Sequence, residues 1–257
     1  MRFPPCLLAL LLATGPLIAE TPPFLNSVVS NDIDFIHSDD PAPEFEVISK
    51  GRGRREMPDR RSDELFQGDV YLFVLKYADD ASVEVWAAPD LANAEKALHY
   101  TRLLGNALAK QPAAMRKLLH HVVIHKGDEV AFAEEQGRFF VLYSNNMDKR
   151  RATRDLEETV FHESVHAKLE AKHAKHEDWI QAQEKDSRFL TEYAQRLPEK
   201  EDLPESALFV YTLWKYPGRL SPDLEKLVRE RIPHRLAYLS NLFDSMNPDP
   251  REAVAQD

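Results

Sequence analysis

The amino-acid sequence predicts an α+β fold, in which strands and one helix come first and further helices follow. Apolar runs of strand length occur before residue 145, and apolar residues recur at helical spacing from about residue 153. The sequence contains no internal repeat and no low-complexity segment. This order of strands and then helices is typical of an α+β arrangement.

Four segments have the apolar pattern of β-strands. The first is a continuous apolar run, which is typical of a buried strand, and the second alternates between apolar and polar side chains. The last is expected to end at Asn145-Asn146, because this pair is a turn signal. The four predicted strands are residues 70–75, 83–86, 121–125 and 139–144.

Helices are predicted between and after these strands. One is expected over residues 89–110, since a Pro-Asp pair at its start favours a helix N-terminus. A short helix is expected over residues 112–119. A long helix begins at about Thr153, and the chain is predicted to be mostly helical from there to about Phe243.

Length and composition indicate one domain, or one domain with appendages. The chain has 257 residues, which suffices for a sizeable core. Hydrophobic residues make up 43% and charged residues 30%, the balance of a soluble globular protein. The formal net charge of -10 argues against nucleic acid and anionic membranes as partners, because both need a basic surface.

Residues 1–19 have the features of a secretory signal peptide. Arg2 gives a short positive region, an apolar run covers residues 6–12, and Ala19 is a small residue suited to cleavage. The alternative is a membrane anchor, which would need ~20 consecutive apolar residues. We therefore predict a secreted or periplasmic protein with no membrane span in the mature chain.

The signal peptide also contains Cys6, which is the only cysteine in the sequence. After its removal no thiol remains, so a metal site in the mature chain must use His, Asp and Glu. Residues 20–65 contain prolines and charged clusters and are expected to form an irregular segment or linker. A domain is predicted over residues 66–245, followed by a tail over residues 246–257.

The long helix contains the sequence His162-Glu163-Ser164-Val165-His166, which has the pattern His-Glu-x-x-His. Residues four apart lie on one helix face, about 6 Å apart along the axis. The two imidazoles can therefore occupy adjacent corners of a zinc tetrahedron. Glu163 lies beside the first ligand, where it is expected to act as the general base that takes a proton from water.

Other histidines follow on the same helix. The metzincin pattern would place glycine and histidine where this chain has Leu169 and Lys172, so that subclass is excluded. His173 and His176 come two and three turns after His166, too far to share one metal with both motif histidines. We expect both to be surface residues.

Three more histidines are candidate site residues. His121 and His125 share one face of a predicted strand, and that strand is a candidate lining of the cleft. They are ~13 Å apart on an extended chain and so cannot bind one metal together. His234 follows Pro233 and is a candidate substrate-binding group.

A downstream stretch completes the pattern, with Tyr193 followed by Glu201 and Glu205. Together with His-Glu-x-x-His, it resembles the gluzincin peptidases, particularly the catalytic domain of the anthrax lethal factor and related secreted peptidases. The resemblance implies a zincin-like fold, with a mixed sheet over an active-site helix and a mostly helical C-terminal part.

The resemblance also implies roles for three residues. Glu201 would bind zinc, Glu205 would support a ligand histidine and Tyr193 would stabilise the oxyanion. Pro204 disfavours helical backbone at Leu203, so Glu201 can precede the second helix. In that case Glu205 is the alternative ligand.

The function predicted from these features is a secreted zinc-dependent metallopeptidase that acts on peptide or protein substrates. Two alternatives stay open. The first is a non-catalytic zinc-binding or interaction protein on a zincin-like fold. The histidines after His166 favour this alternative. The second is a helical scaffold in which the motif has no function. Glu163 favours the peptidase, because metal binding alone does not need a base at that position.

Overall fold

A computed structural model describes residues 21–134 and 136–247. The predicted signal peptide over residues 1–19 and nearly all of the predicted tail lie outside the described residues. In the described part, six strands form one sheet. The strands are β1 (Phe45–Met57), β2 (Phe66–Tyr77), β3 (Ser82–Ala87), β4 (His121–His125), β5 (Phe132–Glu134) and β6 (Phe139–Tyr143).

Nine α-helices accompany the sheet in the described residues, and most of them follow it in the chain. The α+β prediction is therefore confirmed. The helices are α1 (Ala94–Ala109), α2 (Ala113–Leu118), α3 (Ser144–Thr153), α4 (Leu156–Val165), α5 (Glu177–Asp186), α6 (Glu192–Arg196), α7 (Asp202–Lys215), α8 (Pro222–Arg231) and α9 (Pro233–Met246). No described helix is long and apolar enough to cross a membrane.

The sheet is mixed and open, with the strand order β1-β2-β3-β4-β6-β5. β3 pairs in parallel with β4, and β4 in parallel with β6, while the other three pairings are antiparallel. β1 and β5 are consequently the two edge strands. β5 is short, and its position at one edge places it beside the site described below.

One face of the sheet packs on helices. Alternate side chains of β3, such as Val83 and Val85, are fully buried against α1 and α4. Leu104 of α1 and Val160 of α4 belong to the same apolar cluster. This packing holds α4, which carries the His-Glu-x-x-His motif, under the sheet.

The expectation of an irregular segment over residues 20–65 is wrong for β1. Its 13 residues pair antiparallel with β2, with a register shift between Ser49 and Arg52 where Gly51 has a φ of 76°. β1 is an edge strand with most of its side chains exposed, so its sequence lacks the apolar alternation of a half-buried strand. β1 is a strand because its backbone hydrogen-bonds to β2. A sequence pattern does not show such bonds.

The residues before β1 are also part of the folded domain. Val28, Phe35 and Ile36 are buried among side chains of the helical half. The backbone of Phe24 hydrogen-bonds with Leu190 and Glu192. These contacts exclude a freely solvated linker over residues 24–36.

The helix predicted from about Thr153 begins later and has a predecessor. Instead of forming a turn, Asn145 and Asn146 lie in α3, and their N–H groups donate to the carbonyl of Gly127. Arg154 then has a φ of 68°, which ends α3 and separates it from α4. After Val165, α4 continues as a π-helix over His166–Ala174. π-helical turns occur frequently at functional sites.

The helical half contains a fully buried ion network. The guanidinium of Arg235 on α9 donates to Asp186 at 3.0 Å and to Asp202 at 2.5 Å, and it also donates to the carbonyl of Arg188. The side chains of Arg235, Asp186 and Asp202 are fully inaccessible to solvent. The network joins α5, α7 and α9 behind the start of α7.

We expect Arg235→Ala to lower the free energy of unfolding by ~3–5 kcal/mol, because two buried carboxylates would lose their cation. Urea unfolding followed by circular dichroism measures this. Arg229→Ala is the matched control, since Arg229 is half exposed and pairs with Glu225 one turn away. It should cost less than ~1 kcal/mol. Equal losses for the two variants would contradict a stabilising role for the buried network.

Candidate metal centre

The two motif histidines lie at the end of α4 and the start of the π-helix. Every residue of α4 is buried, because the helix packs between the sheet and α7. His162 and His166 project from one face, and their ring centroids are 4.9 Å apart. This confirms that the spacing brings both rings together.

A carboxylate from a different element completes the group. His166 Nε2 is 3.2 Å from His162 Nε2 and 3.2 Å from Glu201 Oε2, and His162 Nε2 is 3.5 Å from the same oxygen. The three atoms thus form a nearly equilateral triangle. All three residues are buried, and they form a group that could hold a metal ion. His162, His166 and Glu201 are hereafter called the metal group.

The dimensions of this triangle can be compared with those of a zinc site. Zinc bonds of about 2.0–2.1 Å give a tetrahedron with edges of about 3.3–3.4 Å. The observed separations of 3.2, 3.2 and 3.5 Å match one face of that tetrahedron. Two imidazoles and one carboxylate are also a donor set found in catalytic zinc sites. The residues present therefore fit the ion.

Local structure explains why Glu201 is placed here. It immediately precedes α7, and its N–H donates to the carbonyl of Leu197 at 2.7 Å. Pro204 lies in the first turn of α7, where its missing N–H breaks no helical hydrogen bond. Glu201 thus precedes α7, as Pro204 led us to expect, but Leu203 is helical despite preceding the proline. The early position of Glu201 does not transfer its place beside the two Nε2 atoms to Glu205.

Glu205 lies one turn further, on the other side of the His162 ring. Its Oε1 is 3.7 Å from His162 Nδ1, just beyond hydrogen-bond distance. The Ser27 hydroxyl donates to Oε1 at 2.5 Å, and the Val28 N–H donates to Oε2 at 2.8 Å. Burial outweighs these hydrogen bonds and raises the Glu205 pKa to about 7. The structure therefore groups Glu201, rather than Glu205, with the Nε2 atoms of both histidines.

His166 has a carboxylate at each ring nitrogen. Its Nδ1 is 2.7 Å from Glu170 Oε2, and Glu170 lies one turn later in the π-helix. Such a partner fixes the ring orientation and leaves Nε2 facing the group. Burial alone would lower the His166 pKa, but Glu170 and Glu201 outweigh it and raise that pKa to about 10.

The neighbouring ionisable groups respond to burial in different ways. Burial lowers the His162 pKa to about 4. Burial also opposes ionisation of Glu201, yet the two histidines hold the Glu201 pKa well below its usual range. Metal binding needs both imidazoles neutral, so it would displace the proton from His166.

Glu163 is the candidate base. It is buried at the wall of the cleft, and burial raises its pKa to about 7. A carboxyl group with a pKa near neutrality can both take up and return a proton at physiological pH.

Tyr193 belongs to α6 and shares the same cleft. Its hydroxyl donates to Glu201 Oε1 at 2.9 Å, and burial raises its pKa. In this state the hydroxyl therefore orients the carboxylate of the metal group.

The group opens into a cleft of about 590 Å³. His162, His166 and Glu201 line it together with Glu163 and Tyr193. The lining also includes Phe132–Glu134, the whole of edge strand β5. The cleft is thus lined by a strand edge as well as by the metal group.

The two histidines that follow the motif do not join the metal group. His176 is exposed, as expected, and its side chain accepts from the N–H of Asp178 at the start of α5. His173 was expected at the surface, and this is wrong, because it is buried with Nδ1 at 2.7 Å from the Tyr238 hydroxyl. The helix turns it inward against α9.

The three remaining candidate histidines are absent from the cleft lining. The expectation that the strand of His121 and His125 lines the cleft is therefore wrong. His121 is stacked between Trp86 and Phe139, at centroid distances of 3.6 and 4.4 Å. His125 Nε2 is 3.0 Å from the carbonyl of Pro58. Both side chains lie on the sheet face opposite to α4, since alternate residues of β4 face the helices.

His234 was a candidate substrate-binding residue. Its backbone N–H donates to Asp186 Oδ1 at 2.9 Å, and its Nδ1 is 2.8 Å from the same oxygen. Asp186 belongs to the buried ion network, so His234 contributes to the start of α9. The structure does not place it among the cleft-lining residues.

Sequence reasoning missed two residues that hold the metal group. Glu170 could have been found, since it follows His166 by four residues on the same helix face. Ser27 could not, because 178 positions separate it from Glu205 and its contact depends on the tertiary fold.

Comparisons with known proteins add no relative. No protein-family model matches the chain, and neither a curated protein nor a solved structure matches it. The fold and the site therefore define the chain at the level of an α+β protein whose buried two-histidine, one-carboxylate group could hold a metal ion.

We expect Ser27→Ala to weaken metal binding ~10-fold, the lower end of the effect of losing an outer-shell partner. Without the hydroxyl, Glu205 loses one of the two donors from the N-terminal segment, and the His162 ring is less firmly held. Competition with a fluorescent zinc chelator measures the affinity.

Ser30→Ala is the matched control, because Ser30 is an exposed residue of the same segment and also lines the cleft. It should bind metal like the wild type. Identical affinities for the wild type and Ser27→Ala would remove Ser27 from the support of the metal group.

Proposed function

We propose that this protein is an exported zinc-dependent metallopeptidase with a zincin-like fold of the gluzincin type. The observation that carries the proposal is the triangle of His162, His166 and Glu201, with Glu163 at the wall of the same cleft. A mixed sheet over α4, with helices supplying the third ligand, agrees with the architecture that the resemblance implies.

The donor atoms favour a transition metal, because imidazole nitrogen suits zinc, iron, copper and nickel, and hard cations such as magnesium prefer oxygen alone. Among these metals, zinc is proposed because the His-Glu-x-x-His pattern on a helix is typical of zinc peptidases. Three protein ligands leave one coordination position for water or substrate, as catalytic zinc sites require. A structural site would be closed by a fourth protein ligand.

In the proposed mechanism, a bound zinc ion would act as a Lewis acid and make water a better nucleophile. Glu163 takes up the proton of the attacking water and delivers it to the leaving amine. Tyr193 donates a hydrogen bond to the oxygen on which negative charge develops. Glu170 orients the His166 imidazole from its Nδ1 side, and Glu205 lies 3.7 Å from the Nδ1 of His162, where a small shift would let it accept a hydrogen bond from that ring.

The cleft supports a peptide as the substrate. β5 is an edge strand, and its outer backbone groups have no strand partner among the described residues. An extended peptide can add to such an edge through main-chain hydrogen bonds. A peptide paired with β5 would pass through the cleft that Glu163 and Tyr193 line.

Export is proposed on the sequence of residues 1–19 alone. The alternative of a non-catalytic metal-binding protein receives less support from the structure. His173 and His176, which favoured it, lie outside the metal group. A buried carboxyl at position 163 has a role in catalysis but none in metal storage.

The proposal is tested with purified protein on denatured casein. We expect one zinc ion per chain and casein cleavage that stops after treatment with a chelator. Addition of a stoichiometric amount of zinc should restore the cleavage. Protein that holds zinc at this site and cleaves no peptide would favour the non-catalytic alternative.

A further inference from the structure

The loop between β1 and β2 holds Arg60 at the cleft while its neighbours are bound elsewhere. The Tyr143 hydroxyl accepts from the Arg60 N–H at 2.7 Å and donates to Asp59 Oδ1 at 3.1 Å. Arg61 forms ion pairs with Asp59 at 2.5 Å and with Asp90 at 3.0 Å. The loop backbone is therefore fixed on the sheet, and the charges on both sides of Arg60 are neutralised.

The Arg60 side chain extends over the edge strand of the cleft. Its guanidinium carbon is 4.8 Å from the ring centroid of Phe132 on β5, and both residues line the cleft. In the described part of the chain, the Arg60 guanidinium has no ion-pair or hydrogen-bond partner. Stacking orients its planar donors and leaves them free for an anion.

A second cation lines the same cleft. Lys200 directly precedes the metal-group residue Glu201, is exposed and lines the same cleft. Its ammonium group likewise has no ion pair within the described residues. Lys200 and Arg60 line the same cleft as the candidate base Glu163.

The remaining charges of the cleft are mostly satisfied internally. Arg150 donates to the carbonyl of Val29 at 2.5 Å and is 3.6 Å from Asp155. Glu170 and Glu201 contact the histidines. Glu134, at the end of β5, and the candidate base Glu163 are the cleft carboxyl groups for which no partner is found in the described residues. Two free cations therefore share the cleft with two carboxyl groups, one of which is the candidate base, in a chain of net charge -10.

Resting on the proposed function, we propose that Arg60 and Lys200 bind a carboxylate of the peptide substrate, so that the protein selects acidic peptides. The carboxylate belongs to an Asp or Glu side chain near the cleaved bond, or to the C-terminus of the substrate. A guanidinium that is stacked on an aromatic ring and held by a rigid loop offers a preorganised two-point contact.

The test profiles cleavage in a mixture of peptides made from a whole proteome, read by mass spectrometry. Wild-type cleavage products should show Asp or Glu enriched at one position near the cleaved bond. If the C-terminal carboxylate is bound instead, cleavage should occur at a constant distance from the substrate C-terminus. Two kinds of peptide pair then separate the sources of the carboxylate by their kcat/KM values. In one pair Glu is replaced by Gln, and in the other the free C-terminus is replaced by an amidated one.

For the preferred acidic peptide, we expect Arg60→Gln to lower kcat/KM ~10- to 100-fold, the effect of losing a charge-assisted hydrogen bond. Its Gln counterpart should change less than about 3-fold. Lys200→Gln should act in the same direction. Arg54→Gln and Lys96→Gln are matched controls, since both side chains are exposed and neither lines the cleft. They should leave the selectivity unchanged.

Four results would overturn the inference. Cleavage that prefers neither acidic residues nor a fixed distance from the C-terminus would show that no substrate carboxylate is recognised. It would leave the peptidase proposal intact. A preference for basic residues would assign recognition to Glu134. Equal losses for acidic and neutral peptides with Arg60→Gln would make Arg60 a structural residue. Absence of any cleavage by the zinc-loaded wild type would refute the proposed function together with this inference.

Discussion

The Glu163→Gln variant is expected to keep one zinc ion per chain and to lose at least ~10²-fold in kcat/KM, the lower range for removal of a general base. Glutamine preserves the size of the side chain but cannot accept the proton. The imidazoles and Glu201 are untouched, so metal content should equal that of the wild type. Zinc analysis and the casein assay on the same preparation separate binding from chemistry.

Glu158→Gln provides the matched control on the same helix. Glu158 is also a buried carboxyl of α4, and burial raises its pKa to about 8. It accepts the N–H of Phe35 at 2.7 Å and does not line the cleft. A glutamine there can still accept this hydrogen bond, so activity should be retained. Wild-type turnover by Glu163→Gln would exclude Glu163 as the base.

The second large effect is expected for Glu201→Ala, which should yield largely metal-free protein. Two imidazoles alone form a much weaker site than two imidazoles with a carboxylate. Glu205→Ala should still bind zinc when it is supplied, with an affinity ~10- to 100-fold lower, because Glu205 acts only through His162. Equilibrium dialysis followed by metal analysis compares the two variants.

Both variants need to be folded, which circular dichroism checks before the metal analysis. Folded Glu205→Ala without metal, alongside Glu201→Ala with tight zinc, would reverse the assignment of the ligand. Tight zinc in both variants would show that neither carboxylate is a ligand. Either outcome would contradict the metal group that the structure presents.

Local patterns explain what the sequence could predict. The continuous apolar runs of β2, β4 and β6 come from strands that bury side chains on both faces of the sheet, and the apolar residues of α4 pack both on the sheet and on the helical half. The His-Glu-x-x-His spacing is likewise a property of one helix, so its geometry follows from the sequence alone. The α+β class and the pairing of His162 with His166 were therefore predictable.

Long-range contacts explain what it could not predict. β1 is stabilised by backbone pairing at an exposed edge, and its charged side chains carry no burial pattern. Ser27 reaches Glu205 across the fold. His173 faces Tyr238 on α9. The sequence of the π-helix does not reveal that α9 packs against it.

The choice between Glu201 and Glu205 depended on one backbone detail. A proline disfavours helical backbone at the residue before it, so Leu203 was expected to be non-helical. Pro204 lies in the first turn of α7, where a proline is tolerated, and Leu203 is helical. α7 therefore begins at Asp202, and Glu201 is held just before it. The position of the helix start decides which carboxylate reaches the histidines.

The central claim is that His162, His166 and Glu201 together bind one catalytic zinc ion. X-ray absorption at the zinc edge, combined with a zinc-loaded crystal structure, tests it most directly. We expect one zinc per chain, bound by two imidazole nitrogens at ~2.0–2.1 Å and one carboxylate oxygen at ~2.0–2.2 Å. Zinc bound at another site, or a folded protein that takes up no zinc, would contradict it.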